Sequence, residues 1–286
     1  MPTYNRADLI METIESIRGQ TFKNWELIIV DDGSEDNTEQ VVGSIKDERI
    51  SFYKAGKIGI GLKLKYIGIK KAKGDMIAFI DSDDLWDNTK LEKQIAAFQL
   101  YPDAAFSLTG GYNFKKKDEP LEYFYNIREG IKFGNIFTSF FTSEASILPQ
   151  TLLFKRECLD LIKQFSETSP SSDVEFILGL ALSFNAVLLY EPLLFRRIHG
   201  KNFTNSNWER GFDEGIAVTI KYKNSKDLPS GIAKNSLFNL YINYGERCLA
   251  YKRRRKALRN FMQSWRYKPF SIVSIKKIAK AILSYF

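Results

Sequence analysis

The sequence predicts an α/β fold in which a mostly parallel sheet is flanked by helices. Apolar runs of strand length alternate with helical patterns along residues 1–110, as repeated βαβ units require. Two of these runs, 25–30 and 76–80, end in acidic turns, and ligands of α/β sheets bind beyond such strand ends. After residue 208 the pattern is helical, which predicts a C-terminal helical extension.

Each element follows from its local pattern. Helices are predicted where apolar residues recur at helical spacing, and strands where short apolar runs are bounded by turn residues. The predicted helices are 7–18, 38–45, 62–72, 90–100, 156–164 and 173–182; the predicted strands are 25–30, 50–53, 76–80, 104–109, 151–154 and 186–190. Residues 138–148 show no clear period, and Leu-Pro-Ser-Gly at 228–231 interrupts the helical tail.

The net charge of +8 is unevenly distributed. Residues 221–286 contain 16 Lys and Arg against 2 Asp and Glu, which leaves a net charge of −6 for residues 1–220. A basic tail on a slightly acidic body indicates one specialised surface. No recognised nucleic-acid-binding motif accompanies the tail, so we do not expect a nucleic-acid partner.

Cysteine usage and hydropathy predict a cytoplasmic protein. Cys158 and Cys248 have no metal-binding or redox spacing, which favours a reducing compartment. No signal peptide is visible, and the longest apolar run, 176–190, is too short to span a bilayer.

Three carboxylates, Asp81, Asp83 and Asp84, follow the apolar run 76–80. Such a cluster repels itself near a core unless a cation compensates it. Mg²⁺ or Mn²⁺ binds one or two carboxylates together with substrate phosphate oxygens, so the cluster is a candidate metal site. The alternative is a solvated acidic turn, or Asp84 as the N-cap of a helix from Trp86 onward.

Other candidate residues narrow the class of site. His199 is the only histidine, which excludes metal sites built from several histidines but not a site with one. Gly56, Gly59 and Gly61 do not form a Walker loop, because no Gly-Lys-Ser/Thr follows. We therefore expect these glycines to shape a flexible turn.

Six short motifs, in this order and at these separations, resemble the inverting glycosyltransferases of family 2, which have the Rossmann-like GT-A fold. The motifs are Pro2-Thr3-Tyr4-Asn5-Arg6, Asp31-Asp32-Gly33-Ser34, Lys73-Gly74-Asp75, Asp81-Ser82-Asp83-Asp84, Ser172-Asp173, and Arg197-Ile198-His199 followed by Asn202. The resemblance implies transfer of a sugar from a nucleotide diphosphate donor, usually UDP-linked, to an acceptor hydroxyl. It also implies a catalytic domain over 1–207, with a nucleotide-sugar half 1–110 and an acceptor half 111–207, before the extension 208–286.

The resemblance implies roles for the residues at matching positions. Asp173 would be the general base, and Asp83 would bind Mn²⁺ or Mg²⁺, with Asp81 and His199 as further candidate ligands. Asp84, Trp86 and Arg197 would contact the donor or the acceptor. The residues implied for nucleotide binding are Pro2, Thr3, Tyr4, Asn5, Arg6, Asp31, Asp32, Asp81 and Ser82.

Each of these roles has a simpler alternative. Asp31 and Asp32 could only build a turn, and Asp173 could only cap the helix that follows it, with Glu175 as the rival base. Trp86 could be a packing residue, and Arg197 could be solvated.

For the whole chain, the alternatives are a catalytically inactive GT-A-like scaffold and a nucleotidyltransferase. The second would need a Gly-rich loop bearing Arg or Lys near the N-terminus, which 2–7 does not supply.

The sequence departs from the family pattern in three places. The family has a full apolar strand before the Pro-Thr-Tyr-Asn motif, whereas this chain starts inside the motif, so the first strand is truncated. Loss of that strand leaves hydrogen-bonding groups of its neighbours unpaired, and we expect instability or filling by another segment. Lys65-Tyr66 replaces the usual Arg-Asn, and Ser172 replaces the usual Glu.

The implied partners are a UDP-sugar and a saccharide, glycolipid or glycoprotein acceptor. Residues 271–286 place apolar residues at helical spacing with lysines between them, and 252–256 adds five cations. This pattern is typical of helices that lie on an anionic membrane surface, here the inner face. The alternative is a helix docked on the catalytic domain with a solvated basic face. A further candidate partner is a second copy of the chain, in a homo-oligomer.

Overall fold

The computed structural model divides the chain into two compact units. The first comprises 1–136 and 145–199, and the second comprises 137–144 and 200–286. The structure describes residues 1–59, 61–115, 122–123, 129–142, 144–145, 148–161, 172–200 and 208–283. The sequence-based boundary at 207 lies outside these residues, and the predicted division at 110 falls inside one continuous strand, Ala104–Phe114.

The first unit begins with three parallel strands. They are β1 (Pro2–Thr3), β2 (Leu27–Asp31) and β3 (Ile50–Lys54), in the order β1-β2-β3. Both pairings are parallel, as the alternating strand and helix patterns predict.

A second, mixed sheet follows, in the order β4-β9-β6-β10-β5, with β7 paired to β6 and β8 to β10. Its longest pair, β6–β10, is parallel, and its other pairs are antiparallel. The strands are β4 (Met76–Ala78), β5 (Leu85–Trp86), β6 (Ala104–Phe114), β7 (Glu122–Tyr123), β8 (Ile131–Gly134), β9 (Leu153–Lys155) and β10 (Asn185–Arg197).

Among the described residues, no strand pairing joins the two sheets. The Met1 amino group donates to the Ile28 carbonyl (2.9 Å), and the Val30 amide donates to the Met1 carbonyl (2.9 Å). β1 therefore covers only one end of β2, and β1 and β4 are the terminal strands of their respective sheets. A cavity of about 710 Å³ lies beside β2 and β4, lined by Ile28 and Ile77 among others.

Within the described part of the first unit, five complete helices pack on these sheets. They are α1 (Ile10–Arg18), α2 (Thr38–Gly43), α3 (Gly61–Ile69), α4 (Lys90–Leu100) and α5 (Ser172–Ser183). α1 shows why the pattern is predictive: Ile10, Ile14 and Ile17 recur on one face, are buried, and pack in one cluster with Leu27 and Ile29.

Two predicted helices differ from the structure. Asp84 does not cap a helix from Trp86, because Trp86 lies in β5 and α4 begins at Lys90. The helix predicted over 156–164 begins as a single 3₁₀ turn, Arg156–Cys158, and continues helically to 161; residues 162–164 lie outside the described residues. The segment 138–148, for which no element was predicted, overlaps the 3₁₀ turn Phe137–Phe140.

The second unit is helical, with α6 (Trp208–Tyr222), α7 (Ser230–Ala250), α8 (Arg254–Tyr267) and α9 (Ile272–Leu283). Pro229 precedes α7, so the predicted break between α6 and α7 is confirmed. The core of this unit includes Phe238, Ile242, Tyr244 and Phe261. In the described part of the chain, no helix combines the length and apolar character needed to cross a membrane.

Candidate functional site

Asp83 lies at the centre of the candidate site. Its Oδ2 accepts a hydrogen bond from Arg6 Nε (3.1 Å) and lies 3.1 Å from His199 Nε2. The side chain is largely buried, so both neighbours hold it in a defined orientation. Three segments that are far apart in sequence, the first motif, the acidic turn after β4 and the end of β10, therefore meet at this one carboxylate.

Asp81 faces the interior of the same turn. Gln150 Nε2 donates to its Oδ2, and the Trp86 indole N–H donates to the Gln150 carbonyl (3.1 Å). Burial, with Asp83 and Asp173 nearby, raises the pKa of Asp81 against the opposing effect of Lys65. Gln150 was not identified from the sequence, since a single glutamine in an irregular segment gives no motif.

Asp84 and Arg197 fasten the acidic turn to β10. Asp84 Oδ1 accepts from the Arg197 amide (2.9 Å), and Arg197 Nε donates to the Asp83 carbonyl (3.0 Å). Arg197 also donates to Glu12 Oε2 (2.7 Å) on α1. Burial, together with Asp81 and Asp83, raises the pKa of Asp84 well above its usual range. Arg197 is thus a buried residue that connects β10 to the acidic turn and to α1, and not a solvated side chain.

Asp173 lies in the first turn of α5 and forms an ion pair with Lys65 on α3. Lys65 Nζ lies 2.9 Å from Asp173 Oδ2, while Asp173 Oδ1 is buried and has no hydrogen-bond partner among the described residues. Burial alone would lower the pKa of Lys65, but the Asp173 and Asp81 carboxylates raise it. Lys65 therefore compensates both acids.

Lys65 is a site residue to which the sequence motifs assign no role. Its side chain is only 3% exposed and lies over the Phe79 ring, 5.3 Å from the centroid. The available signal was a lysine among the apolar residues of α3, where Leu62, Leu64 and Ile69 are buried. Most buried lysines pair with a carboxylate, so such a position points to a site.

The first motif, residues 2–6, reaches Asp83 through Arg6. Thr3 is buried, and its hydroxyl has no partner among the described residues, whereas the Tyr4 ring is 37% exposed. Asn5 has a left-handed backbone (φ 49°), and its Oδ1 accepts from the Glu35 amide (2.8 Å). This contact fixes the turn that directs Arg6 towards Asp83.

Asp31 and Asp32 each hold a loop. Asp31 accepts from the Ser34 hydroxyl (2.5 Å) and from the Gly33 and Ser34 amides. Asp32 accepts from the Ile58 amide (2.5 Å) and from the Gly59 amide. These contacts are those of the turn-building alternative, and they also place the Asp32 carboxylate beside the glycine-rich loop. A role in nucleotide binding stays a prediction.

Two further predicted residues, Ser82 and Trp86, are buried. Ser82 lies between the two acids of the turn and is 5% exposed. Trp86 packs in the core cluster of α1 and β2, and the Lys90 ammonium lies 4.2 Å from its ring centroid. The ring thus occupies the position that the packing alternative predicts.

The residues around Asp83 fit a divalent cation. Within the described ranges, no group of three His, Cys, Asp or Glu side chains forms a complete metal site. The Asp83 carboxylate and the His199 imidazole are nevertheless adjacent, and Mn²⁺ accepts both ligand types. A cation that completes its coordination with substrate phosphate oxygens needs no more protein ligands than this.

Sequence comparison identifies related proteins over the same residues. The model of "Glycosyl transferase family 2" matches residues 1–160. An uncharacterized glycosyltransferase from Rickettsia bellii is 35% identical over 228 residues, which are 78% of this chain and 31% of that protein. The putative teichuronic acid biosynthesis glycosyltransferase TuaG of Bacillus subtilis is 28% identical over 73% of this chain and 81% of its own length.

A third relative matches a shorter region. The Escherichia coli enzyme WfaP, a UDP-Glc:α-D-GlcNAc-diphosphoundecaprenol β-1,3-glucosyltransferase, is 45% identical over 92 residues, or 32% of this chain and 37% of its own. This chain thus spans about a third of the length of the Rickettsia bellii and WfaP relatives.

Solved structures confirm the GT-A fold. Staphylococcus aureus TarS 1-349 in complex with UDP has a TM-score of 0.65 at 16% identity, over 99% of this chain and 89% of that one. The mannosyltransferase PcManGT from Pyrobaculum calidifontis, in complex with GDP-Man and Mn²⁺, has a TM-score of 0.63 at 16% identity, over 100% and 79%.

Proposed function

The chain belongs to glycosyl transferase family 2, whose model matches more than half of it, and we propose on this premise that it transfers a sugar from a UDP-sugar to an acceptor hydroxyl with inversion. The reaction would serve the synthesis of a polysaccharide or glycoconjugate. The rest of the mechanism follows from the side chains around Asp83 and Asp173.

One observation carries this proposal: the candidate base and the candidate metal-binding turn share one charged cluster. Lys65 pairs with Asp173 at 2.9 Å and also acts electrostatically on Asp81, two residues from Asp83. A remote Asp173 would have contradicted a shared site. A compact set of three acids and one buried lysine supports a single reaction centre instead.

Asp173 is suited to accept the acceptor proton. Its Oδ1 is buried and unpartnered among the described residues, while Lys65 fixes its Oδ2. A carboxylate held by one oxygen leaves the other oriented for general-base catalysis. The hydroxyl oxygen attacks the anomeric carbon opposite the leaving group, Asp173 takes the proton, and one displacement inverts the configuration.

Arg6, Asp83 and His199 face the proposed position of the diphosphate. Asp83 and His199 would hold Mn²⁺ or Mg²⁺, which supplies positive charge that stabilises the departing diphosphate. The Arg6 guanidinium, 3.1 Å from Asp83, adds a fixed cation at the same place. Arg197 donates to the backbone carbonyl of Asp83 and so stabilises the turn. The Asp83 carboxylate would therefore keep its orientation when ligands bind.

The names of the relatives indicate a class of sugar donor and a class of acceptor. WfaP uses UDP-Glc and a GlcNAc-diphosphoundecaprenol acceptor by its name, and a second TarS structure holds UDP-GlcNAc. We infer a UDP-linked hexose or N-acetylhexosamine as donor and a lipid-linked saccharide as acceptor. GDP-mannose, present in the PcManGT structure, is the competing donor class.

The test is UDP release from a panel of UDP-sugars with Mn²⁺. We expect slow release by the wild type, loss of release in Asp83→Ala, and a rate lower by about 10²–10⁴-fold in Asp173→Asn, because a general base contributes that much. Asp103→Asn, an exposed acid outside the site, is the matched control and should keep the wild-type rate.

A thermal-shift panel separates the inactive-scaffold alternative. A ligand that binds only the folded state raises the unfolding temperature, so UDP with Mn²⁺ should stabilise the wild type and Asp173→Asn alike. Stabilisation by nucleotide without any turnover in the wild type would favour a scaffold. A shift with GDP-mannose but not with UDP-sugars would contradict the donor assignment.

A further inference from the structure

The C-terminal helix α9 attaches to its unit through small side chains. Ser274 and Ala281 are fully buried, and Ile278 packs into the same cluster as Phe261. The Ser264 and Ser274 hydroxyls are hydrogen-bonded (2.9 Å) and join α9 to α8. Most of the large apolar residues of α9 are therefore not used to dock the helix.

Those large residues point outward instead. Ile272, Ile275 and Ile282 are 68%, 51% and 47% exposed and follow one another at helical spacing, so they form one exposed stripe. Phe270, in the turn before α9, is 81% exposed. Isolated exposed apolar residues are common, but a continuous row on one helix marks an interaction surface.

α8 extends this surface. Met262 and Trp265, one turn apart, are 57% and 45% exposed, and the Trp265 ring contacts the Phe270 ring with 6.2 Å between centroids. We call this set the apolar face; it consists of Met262, Trp265, Phe270, Ile272, Ile275 and Ile282. A tryptophan beside exposed aliphatic residues is typical of a helix that lies at a membrane interface.

The segment that carries the apolar face has charged side chains of one sign only. Residues 251–286 contain 11 Lys and Arg and no Asp or Glu. Lys276 and Lys280 are exposed on α9 beside the isoleucine row, while Lys277 pairs with Glu246 of α7. The natural counterpart of an apolar face bordered by cations is a surface that is apolar in its interior and anionic at its rim.

We propose that the apolar face inserts into the interfacial region of an anionic phospholipid bilayer, with Lys276 and Lys280 at the phosphate groups. A second copy of the chain fits less well, because an isologous contact through this face would bring Lys276 and Lys280 of one copy close to the same lysines of the other. The proposal does not depend on catalysis, so Asp83→Ala should bind vesicles as the wild type does.

The test is flotation of the full chain with vesicles of phosphatidylcholine alone or with one quarter phosphatidylglycerol. We expect binding to the anionic vesicles and a loss of about tenfold or more in Ile275→Ser/Ile282→Ser, since two aliphatic side chains leave the bilayer. Lys276→Gln/Lys280→Gln should lose a comparable factor. The matched controls are Leu100→Ser and Lys46→Gln/Lys63→Gln, exposed residues of the first unit.

Trp265 provides a second readout that charge alone would not change. Brominated acyl chains should quench its fluorescence on binding, and Trp265→Phe should remove the quenched component. Unchanged flotation in the isoleucine variant, or binding without quenching, would overturn insertion. Sedimentation equilibrium that shows a dimer abolished by Ile275→Ser/Ile282→Ser, without vesicle binding, would assign the face to self-association and also overturn the proposal.

Discussion

Lys90 is a fully buried lysine, and none of the described residues pairs its charge with an acid. Its Nζ donates to Gln94 Oε1 (2.5 Å) and lies over the Trp86 ring. Burial lowers the pKa of Lys90 to about 7. An amide oxygen and an aromatic face partly solvate an ammonium, but they do not offset its removal from water.

This burial has a defined effect on the pH dependence of stability. Between pH 7 and about 10.5 the unfolded chain keeps the Lys90 proton and the folded chain does not, so the free energy of unfolding rises with pH, by about 1.4 kcal/mol per unit. Below pH 7 the full penalty applies. We expect Lys90→Met to remove this slope in urea titrations from pH 6.5 to 9.5, whereas Lys93→Met, on the surface of the same helix, should retain it.

At this scale the sequence predicts residue identity better than residue contacts. The motifs select the acids 81, 83 and 173, and the structure brings them into one cluster around Lys65, while their roles stay predictions. Lys65 itself was noted only as a departure from the family pattern. Its role depends on α3 and α5 meeting in space, which no local pattern encodes.

At the scale of elements, β2 and β4 lie in different sheets and do not pair with each other. We expect this part of the first unit to be its least stable. Leu27 donates to the Arg49 carbonyl, so Leu27 and Ile29 face β3, whereas Ile28 and Val30 face β1. The Val30 amide donates to the Met1 carbonyl, whereas the Ile28 amide has no hydrogen bond to β1 among the described residues, and Ile28 lines the cavity.

Hydrogen exchange tests this reading of the sheet. We expect the Ile28 amide to exchange markedly faster than the Ile29 amide. The Ile29 amide faces β3, which pairs with the whole of β2, whereas the Ile28 amide faces the short strand β1. Leu188 of β10, paired with both β6 and β8, is the protected reference. Full protection throughout 25–30 in a monomer would contradict the expected fast exchange at Ile28.

α7 and α8 approach closely at a glycine. A Cβ at Gly245 would lie 2.3 Å from the Phe261 ring, which is fully buried and has no room to move. We expect Gly245→Ala to lower the free energy of unfolding by about 1–3 kcal/mol through overpacking. In thermal denaturation, Gly211→Ala on α6, where the space is open, should instead be neutral or stabilising by up to about 1 kcal/mol.

Strand ends show why element boundaries were harder to predict than elements. The predicted strand 186–190 stops before Glu191-Pro192, yet β10 continues to Arg197 because register shifts on both sides of Pro192 accommodate the proline. β6 continues through Gly110, where a Cβ would lie 2.9 Å from the Glu191 carbonyl. Residues that normally end strands here permit two long strands to stay paired.

At the scale of the whole molecule, the α/β class and the helical extension were predictable, because each depends on periodicity along the chain. The mixed character of the second sheet was not, since antiparallel pairing is decided by long-range contacts. The same holds for residues 137–144, which belong to the second unit: Phe137 packs on Tyr222, with 5.3 Å between ring centroids.

The contact between His199 and Asp83 gives the protein a built-in reporter. The chain has one histidine, and its Nε2 lies 3.1 Å from the central carboxylate. Its imidazole NMR signals therefore need no assignment, and they change when anything reaches Asp83. Titration with Mn²⁺, with UDP, and with both together would show from one resonance set whether cation and nucleotide arrive independently or in order.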